Sequence, residues 1–226
     1  MSNGTYCVIP AYNEEKNIVP VVKKILPLVG KVIVVDDCSK DGTVGRLEDN
    51  FQNGEIVILK HLLNRGQGAA LKTGTEFALL EGAEIIVHFD ADGQFLAEDI
   101  ETITRPIRKK EAEIVFGSRF LGKESNIPWS KKNIIMPFAR LINKIFLGVR
   151  LTDPQSGFRA MSARAARKID WRQDRMAHCS EILFEATNSG LPVKEVPITV
   201  IYHDFGQKFS GGFKIIKELM LGSLLK

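Results

Sequence analysis

In the stretch IIVHFDADGQ, Ile85 to Gln94, an apolar run meets three oxygen-bearing side chains, Asp90, Asp92 and Gln94, at alternate positions. Two close carboxylates repel each other unless a cation lies between them. An oxygen-only donor set selects a hard divalent ion such as Mg²⁺ or Mn²⁺. An EF-hand would take the three as its first, third and fifth ligands, with Glu101 at the twelfth. Its sixth position must turn on glycine, and here it is Phe95. A haloacid-dehalogenase phosphatase also places D-x-D after a strand, but near the start of its domain and followed by Thr or Val, where this chain has Gln94. An isolated acidic turn would simply be solvated. These acids terminate an apolar strand in mid-chain, which favours a ligand.

Other strand ends carry comparable groups. Pro10, Tyr12, Asn13 and Glu14 follow the first apolar run, Asp36 and Asp37 the second, and Ser118 and Arg119 the fifth. In an open parallel sheet, ligands bind beyond the carboxyl ends of the strands. Acids gathered there with an arginine fit an anionic ligand carried with a metal.

The elements that must position these residues alternate. TYCVIP, KVIVVDD, EIVILKH, EIIVHFD and EIVFGSR read as strands, apolar throughout. NIVPVVKKIL, SKDGTVGRLEDNF, GQGAALKTGTEFALLEG and DIETITRPIRKKE read as the helices between or after them. Asn17 is the expected N-cap of the first helix, and Pro20 falls in its first turn, where a missing N–H costs nothing. Buried strands separated by helices make a mostly parallel sheet covered on both faces. From about Ser118 the alternation stops. NIIMPFARLINKIFLGVRL and FKIIKELMLGSLLK read as long helices with apolar stripes and basic flanks, suited to a membrane surface, a core or a dimer contact. Gly66, Gly68 and Gly74 match no phosphate-loop spacing and are assigned to a tight turn and close helix-to-sheet packing, with Asn64 and Gly66 bordering the site.

The 226 residues suit one α/β domain, and 44% hydrophobic with 26% charged residues is ordinary for a globular chain. A formal charge of +4 admits phosphates or lipid headgroups and makes no case for nucleic acid. Three cysteines, Cys7, Cys38 and Cys179, with no CxxC, read as reduced cytosolic thiols. No basic-then-apolar leader opens the chain. No apolar run reaches the roughly 18 residues of a membrane span.

VIPAYNEEKNI, VVDDCSKDGT, NRGQGAALKTG, FDADGQ, FGSR and DPQSGFRAMS occur in the order and spacing of the family 2 glycosyltransferases. Over nearly its whole length the chain resembles their dolichyl-phosphate mannose synthase and polyprenyl-phosphate glycosyltransferase branch. It lacks the Q-x-x-R-W of the processive polysaccharide synthases. The resemblance implies an α/β GT-A fold: a Rossmann-like, mostly parallel sheet flanked by helices, with C-terminal acceptor-side helices. A single domain is expected over 1–226, about 1–120 binding the nucleotide sugar and about 121–226 facing acceptor and membrane.

The same resemblance assigns roles. Pro10, Tyr12, Glu14, Val35 and Asp37 match positions that hold base and ribose. Asp90, Ala91 and Asp92 match the D-x-D segment, with Asp90, Asp92 and Gln94 toward the metal, Mg²⁺ or Mn²⁺. Arg119 matches an arginine that neutralises the leaving diphosphate; the alternative, disfavoured by its place at the crevice end of a strand, is a surface arginine paired with a nearby acid. Relatives carry an arginine and a lysine in R-x-x-G-x-S-K, where this chain has His203 and Phe209, with Lys208 one residue early as the replacement. In DPQSGFR, Asp153 and Arg159 order the acceptor region, or form a loop-anchoring ion pair. Arg159 is placed on the acceptor side, where it could meet a phosphate. His178 and Glu181, at helical spacing, read as a helix-surface pair facing the acceptor side in preference to a metal or acid/base pair.

The implied reaction carries a sugar from a GDP-mannose or UDP-hexose type donor to a polyprenyl or dolichyl phosphate, with inversion. The acceptor phosphate is already an anion, so no strong base is needed. A hydroxyl acceptor would need one, and Asp153 is then the first candidate, catalytic beside Asp92 and Arg119. A transferase acting on a saccharide or protein hydroxyl, or a silent nucleotide-sugar-binding module, are the alternatives. Expected partners are the nucleotide sugar, the lipid phosphate and a membrane surface on its cytoplasmic face. An integral-membrane partner or a second copy of the chain is compatible with this, and no nucleic acid is expected.

Overall fold

The computed structural model describes residues 4–52, 54–121, 151–153 and 156–201. The five strands expected from sequence form: β1 (Thr5–Ala11), β2 (Lys31–Asp36), β3 (Val57–Lys60), β4 (Ile85–His88) and β5 (Ile114–Ser118). Between them lie α1 (Ile18–Ile25), α2 (Thr43–Asn50), α3 (Gln67–Leu80) and α4 (Asp99–Arg108). The alternation resumes beyond Ser118, contrary to expectation. A strand β6 (Arg159–Ser162), helices α5 (Ala163–Lys168) and α6 (His178–Asn188), and a strand β7 (Val193–Pro197) follow.

The strand order is β3-β2-β1-β4-β6-β5-β7. All neighbours run parallel except β6, which is antiparallel to both β4 and β5. The chain therefore steps outward from β1 to β3, then returns through α3 to β4 on the other side of β1. That reversal opens a crevice between the ends of β1 and β4, the place where open α/β sheets bind ligands.

Two cores result. On one face α1, α2 and α4 cover the sheet through Ile18, Val22, Leu47, Ile100 and Ile103. On the other, α3, α5 and α6 bring Leu71, Ala78, Ala165, Ile182 and Leu183 against Val8, Val35 and Phe116. Gly74 of α3 lies against Val8 and Val35, where any side chain would collide. Gly66 has φ +114, a conformation that favours glycine. Packing and a turn thus account for both glycines. Asn17 does not cap α1 with its side chain; its Nδ2 instead donates to Glu14 Oε2 at 2.9 Å.

Candidate active site

β1 and β2 deliver their polar ends together because their loops are sewn to one another. Asn13 N–H donates to Ser39 Oγ at 2.9 Å, Lys40 N–H to Asn13 Oδ1 at 2.8 Å, and Glu14 N–H to Thr43 Oγ1 at 2.8 Å. The loop after β4 is held from beneath. Phe89 and Phe95, which bracket the acidic residues, both pack on Phe158 with ring centroids 5.0 and 5.2 Å apart. Such aromatic pairs contribute about 1 kcal/mol each beyond burial. Within the loop, Gln94 N–H donates to Asp92 Oδ1 at 3.0 Å. From outside, Ile201 N–H donates to Gln94 O at 2.8 Å.

Between these loops lies a cavity of about 320 Å³. Pro10, Tyr12, Glu14, Asp37, Asp90, Ala91 and Asp92 line it, seven residues that sequence motifs had marked. Ala11, Gln67, Ala70 and Met176 complete the lining. Gln67 Nε2 donates to Asp90 Oδ1 at 2.7 Å, fixing that carboxylate from the first turn of α3. Its position just past Gly66 was the available signal; Met176 lies in no motif.

The acids press on one another. Burial and then the neighbouring Asp92 push Asp90 up to about 6, against the pull of Arg159 and Arg119. Burial also raises Glu14; Asn17 opposes, and Asp92 and Asp41 add to the rise. A carboxyl raised by an acidic neighbour is one that a nearby cation would relieve. Among the described residues no group of three or more His, Cys, Asp or Glu forms a metal cage. Magnesium needs none, since one or two carboxylates together with substrate phosphates commonly hold it. Asp90 and Asp92, with Gln94 two residues on, fit that donor set.

Asp37 is buried and already engaged. It accepts from His61 Nδ1 at 2.7 Å, from Arg65 N–H at 3.0 Å and from Gly66 N–H at 2.6 Å. The other ring nitrogen of His61, Nε2, lies 2.9 Å from Thr73 Oγ1. Asp37 thereby anchors the loop that leads into α3. Val35 is buried under α3, and its side chain is not part of the cavity wall.

Gln94, Arg119, Asp153 and Arg159 also lie outside the cavity lining. Arg119 follows β5, and its Nε and Nη2 donate to Asp153 Oδ2 and Oδ1 at 2.6 and 2.7 Å. Asp153 is thus in an ion pair, one of its two expected readings, but with Arg119 and not Arg159. Arg159 instead begins β6, opposite His88. It is fully buried, donating from Nε to His88 Nδ1 at 3.1 Å and from Nη2 to Cys179 Sγ at 3.8 Å. His178, expected on the surface, is buried too. Burial, then the Arg159 charge, holds it down at about 3. Its partner Glu181 accepts the N–H groups of Arg172 and Gln173 at 2.9 and 2.8 Å. Lys208, His203, Phe209 and both long apolar helices lie outside the described residues. Among the described residues no helix is long and apolar enough to cross a membrane.

Residues 6–170 match the family model described as glycosyl transferase family 2. The chain is 37% identical to the UDP-N-acetylglucosamine–dolichyl-phosphate N-acetylglucosaminyltransferase of Methanococcus voltae, over 96% of this chain and 94% of that protein. It is 32% identical to the polyprenol monophosphomannose synthase of Mycolicibacterium smegmatis, over 92% and 81%. The fold matches glucosyl-3-phosphoglycerate synthase of Mycobacterium tuberculosis, solved with Mn²⁺, uridine diphosphate and phosphoglyceric acid. There the TM-score is 0.73, with 17% identity over 97% of this chain and 76% of that one.

Proposed function

The chain belongs to glycosyl transferase family 2 and is a hexosyltransferase of GT-A fold, and on that premise we propose that it glycosylates a polyprenyl-type lipid phosphate. The donor is a nucleoside diphosphate hexose of the GDP-mannose or UDP-hexose kind. The names of the relatives support the acceptor class. The observation that carries the reading is the single cavity onto which Tyr12, Glu14, Asp37, Asp90 and Asp92 converge at the sheet's reversal.

In this reading the nucleotide lies against Pro10, Tyr12 and Glu14, beside the loop that Asp37 anchors. Asp90 and Asp92, with Gln94, would hold Mg²⁺ or Mn²⁺, and the ion would supply charge neutralisation for the leaving group. Arg119 adds its positive charge to the neutralisation of the same group. Gln67 keeps the Asp90 carboxylate in one orientation. The acceptor phosphate attacks the anomeric carbon from the opposite face, with inversion. Asp153 supports this choice of acceptor: its two oxygens receive the Arg119 fork, which leaves it poorly placed to take a hydroxyl proton. Lys208 is assigned to the phosphates in place of the family's lysine. The basic-flanked apolar stretches at 133–151 and 213–226 are assigned to the cytoplasmic surface of a membrane, either directly or through a partner.

A panel of GDP- and UDP-sugars tests this, run with and without polyprenyl phosphate and Mg²⁺ or Mn²⁺. Lipid-linked product is expected from one donor class, only with metal, and Asp92→Asn is expected to abolish it in a folded protein. Full turnover in excess EDTA, or transfer that ignores the lipid phosphate and glycosylates a sugar hydroxyl, would overturn the reading.

A further inference from the structure

We propose that Glu195, on the outermost strand and in none of the family motifs above, is a positioning residue that sets the direction of Arg119. The proposal rests on the reading of Arg119 as the residue that meets the leaving diphosphate.

The parallel register sets Glu195 of β7 beside Phe116 of β5, and Pro197 beside Ser118, the residue before Arg119. The Glu195 carboxylate reaches the short segment 151–153. Thr152 N–H donates to both of its oxygens at 2.8 Å, Asp153 N–H to Oε1 at 2.9 Å and Thr152 Oγ1 to Oε1 at 3.2 Å. Thr152 Oγ1 also lies 2.5 Å from Ser118 Oγ. Leu151 packs on the same core as Val193, which shares the Glu195 face of β7. Asp153 is thus held through its backbone, and its side chain is aimed by that hold. It receives the Arg119 fork, and the Arg119 N–H as well at 3.2 Å. The chain of contacts runs from Glu195 through the Thr152–Asp153 backbone to the Asp153 carboxylate and the Arg119 guanidinium.

A carboxylate is the side chain this station needs, because its hydrogen-bond partners among the described residues all donate and a carboxylate only accepts. Charge-assisted bonds of this kind are also short and directional. An amide at position 195 would keep one acceptor oxygen, lose the charge and turn an N–H₂ toward the Thr152 N–H. The segment could then shift, and Asp153 would carry Arg119 with it. A displacement near 1 Å at a charge-stabilising group costs up to about a hundredfold in rate.

The full chain carrying Glu195→Gln, Arg119→Ala or both tests the proposal with two readouts. The first is turnover with the productive donor. Glu195→Gln is expected to lower kcat by about tenfold while the donor KM stays within about twofold. The double variant is expected to be no slower than Arg119→Ala alone, because Glu195 acts through Arg119. The second needs no substrate: hydrogen exchange of the Arg119 Nε–H by NMR, assigned by its loss in Arg119→Lys. Exchange should speed up by about tenfold in Glu195→Gln as the fork to Asp153 loosens. Glu195→Asp retains the charge with shorter reach and should fall between wild type and Glu195→Gln in both readouts. It also serves if Glu195→Gln does not fold.

An equal fold loss from Glu195→Gln with and without Arg119 would show a merely structural anchor and overturn the proposal. So would unchanged exchange at Arg119. If Arg119→Ala turns over like wild type, the role of Arg119 fails and the catalytic part of the proposal falls with it. The exchange readout then still reports separately whether Glu195 orders that side chain.

Discussion

Arg119 and Arg159 belong to neighbouring strands and are held by opposite means. Arg119 follows β5, remains 27% exposed, and gives its fork to the buried carboxylate of Asp153. Arg159 is fully buried, and its guanidinium contacts neutral groups, His88 Nδ1 and Cys179 Sγ. Its Nη1 has no partner among the described residues. A carboxylate partner fixes direction and cancels much of the charge. A neutral nest leaves the charge uncancelled, so its field reaches further. Of the two arginines, the buried Arg159 lowers Asp90 more. One arginine is built to be aimed and the other to be felt at a distance.

Substitutions can separate the two roles. Arg119→Ala is expected to lower kcat about a thousandfold, the scale of removing one donor from a developing anion. Its melting temperature should fall by only a few degrees. A large melting shift with modest kinetic loss would mean that Arg119 is structural. Arg159→Ala is expected to act the other way. It leaves a large cavity and orphans His88 Nδ1, at a cost of about 3 kcal/mol. For a chain of this size that is a fall of roughly 10 °C in melting temperature. Unchanged thermal stability in Arg159→Ala would dissolve the contrast.

The smallest effect concerns the nest itself. His178 is held neutral at about 3 in the folded chain and titrates near 6.5 when unfolded. Between those values the unfolded state binds the extra proton, so stability contributed by neutral His178 is complete above pH 6.5 and is lost as the pH falls. From pH 7 to 5 the loss is about 2 kcal/mol. Asp90, raised to about 6, works in the opposite direction over an overlapping range but is common to wild type and variant. His178→Gln should therefore flatten the decline in stability from pH 7 to pH 5 relative to wild type. Parallel pH curves in chemical denaturation would show that His178 does not carry this dependence.

β1 to β5 were legible because each is a continuous apolar run closed by polar residues, and the cavity falls where those ends meet; β7, VKEVP, is parallel too but carries charge at Lys194 and Glu195 and was not. Nor was β6. Four residues that begin with a buried arginine offer no apolar run, and an arginine in isolation reads as a surface residue. His178 misled for the same reason: beside Glu181 at helical spacing it looks like a solvated pair, whereas Arg159 and Cys179 make it part of the interior. Asn17 is a good capping residue by type, yet its backbone is already helical, with φ -105 and ψ -30, where a capping residue is typically extended. Gln67 stands next to a turn glycine, and its aim at Asp90 follows only once α3 is docked. Glu195 carries no local signal, since its partners lie more than forty residues earlier and arrive through the topology.

β6 also governs the order in which the molecule can be assembled. β4 and β5 are consecutive strands in the chain, yet neither touches the other, because residues 159–162 lie between them. As the chain leaves the ribosome, β1 to β4 can pair at once, leaving the outer edge of β4 unpaired until roughly seventy further residues have been made. An open strand edge invites pairing with another chain. The antiparallel strand that brings Arg159 beneath the acids is thus also the late-arriving wedge that closes the sheet, and the nascent protein is most vulnerable to aggregation in the interval before it docks.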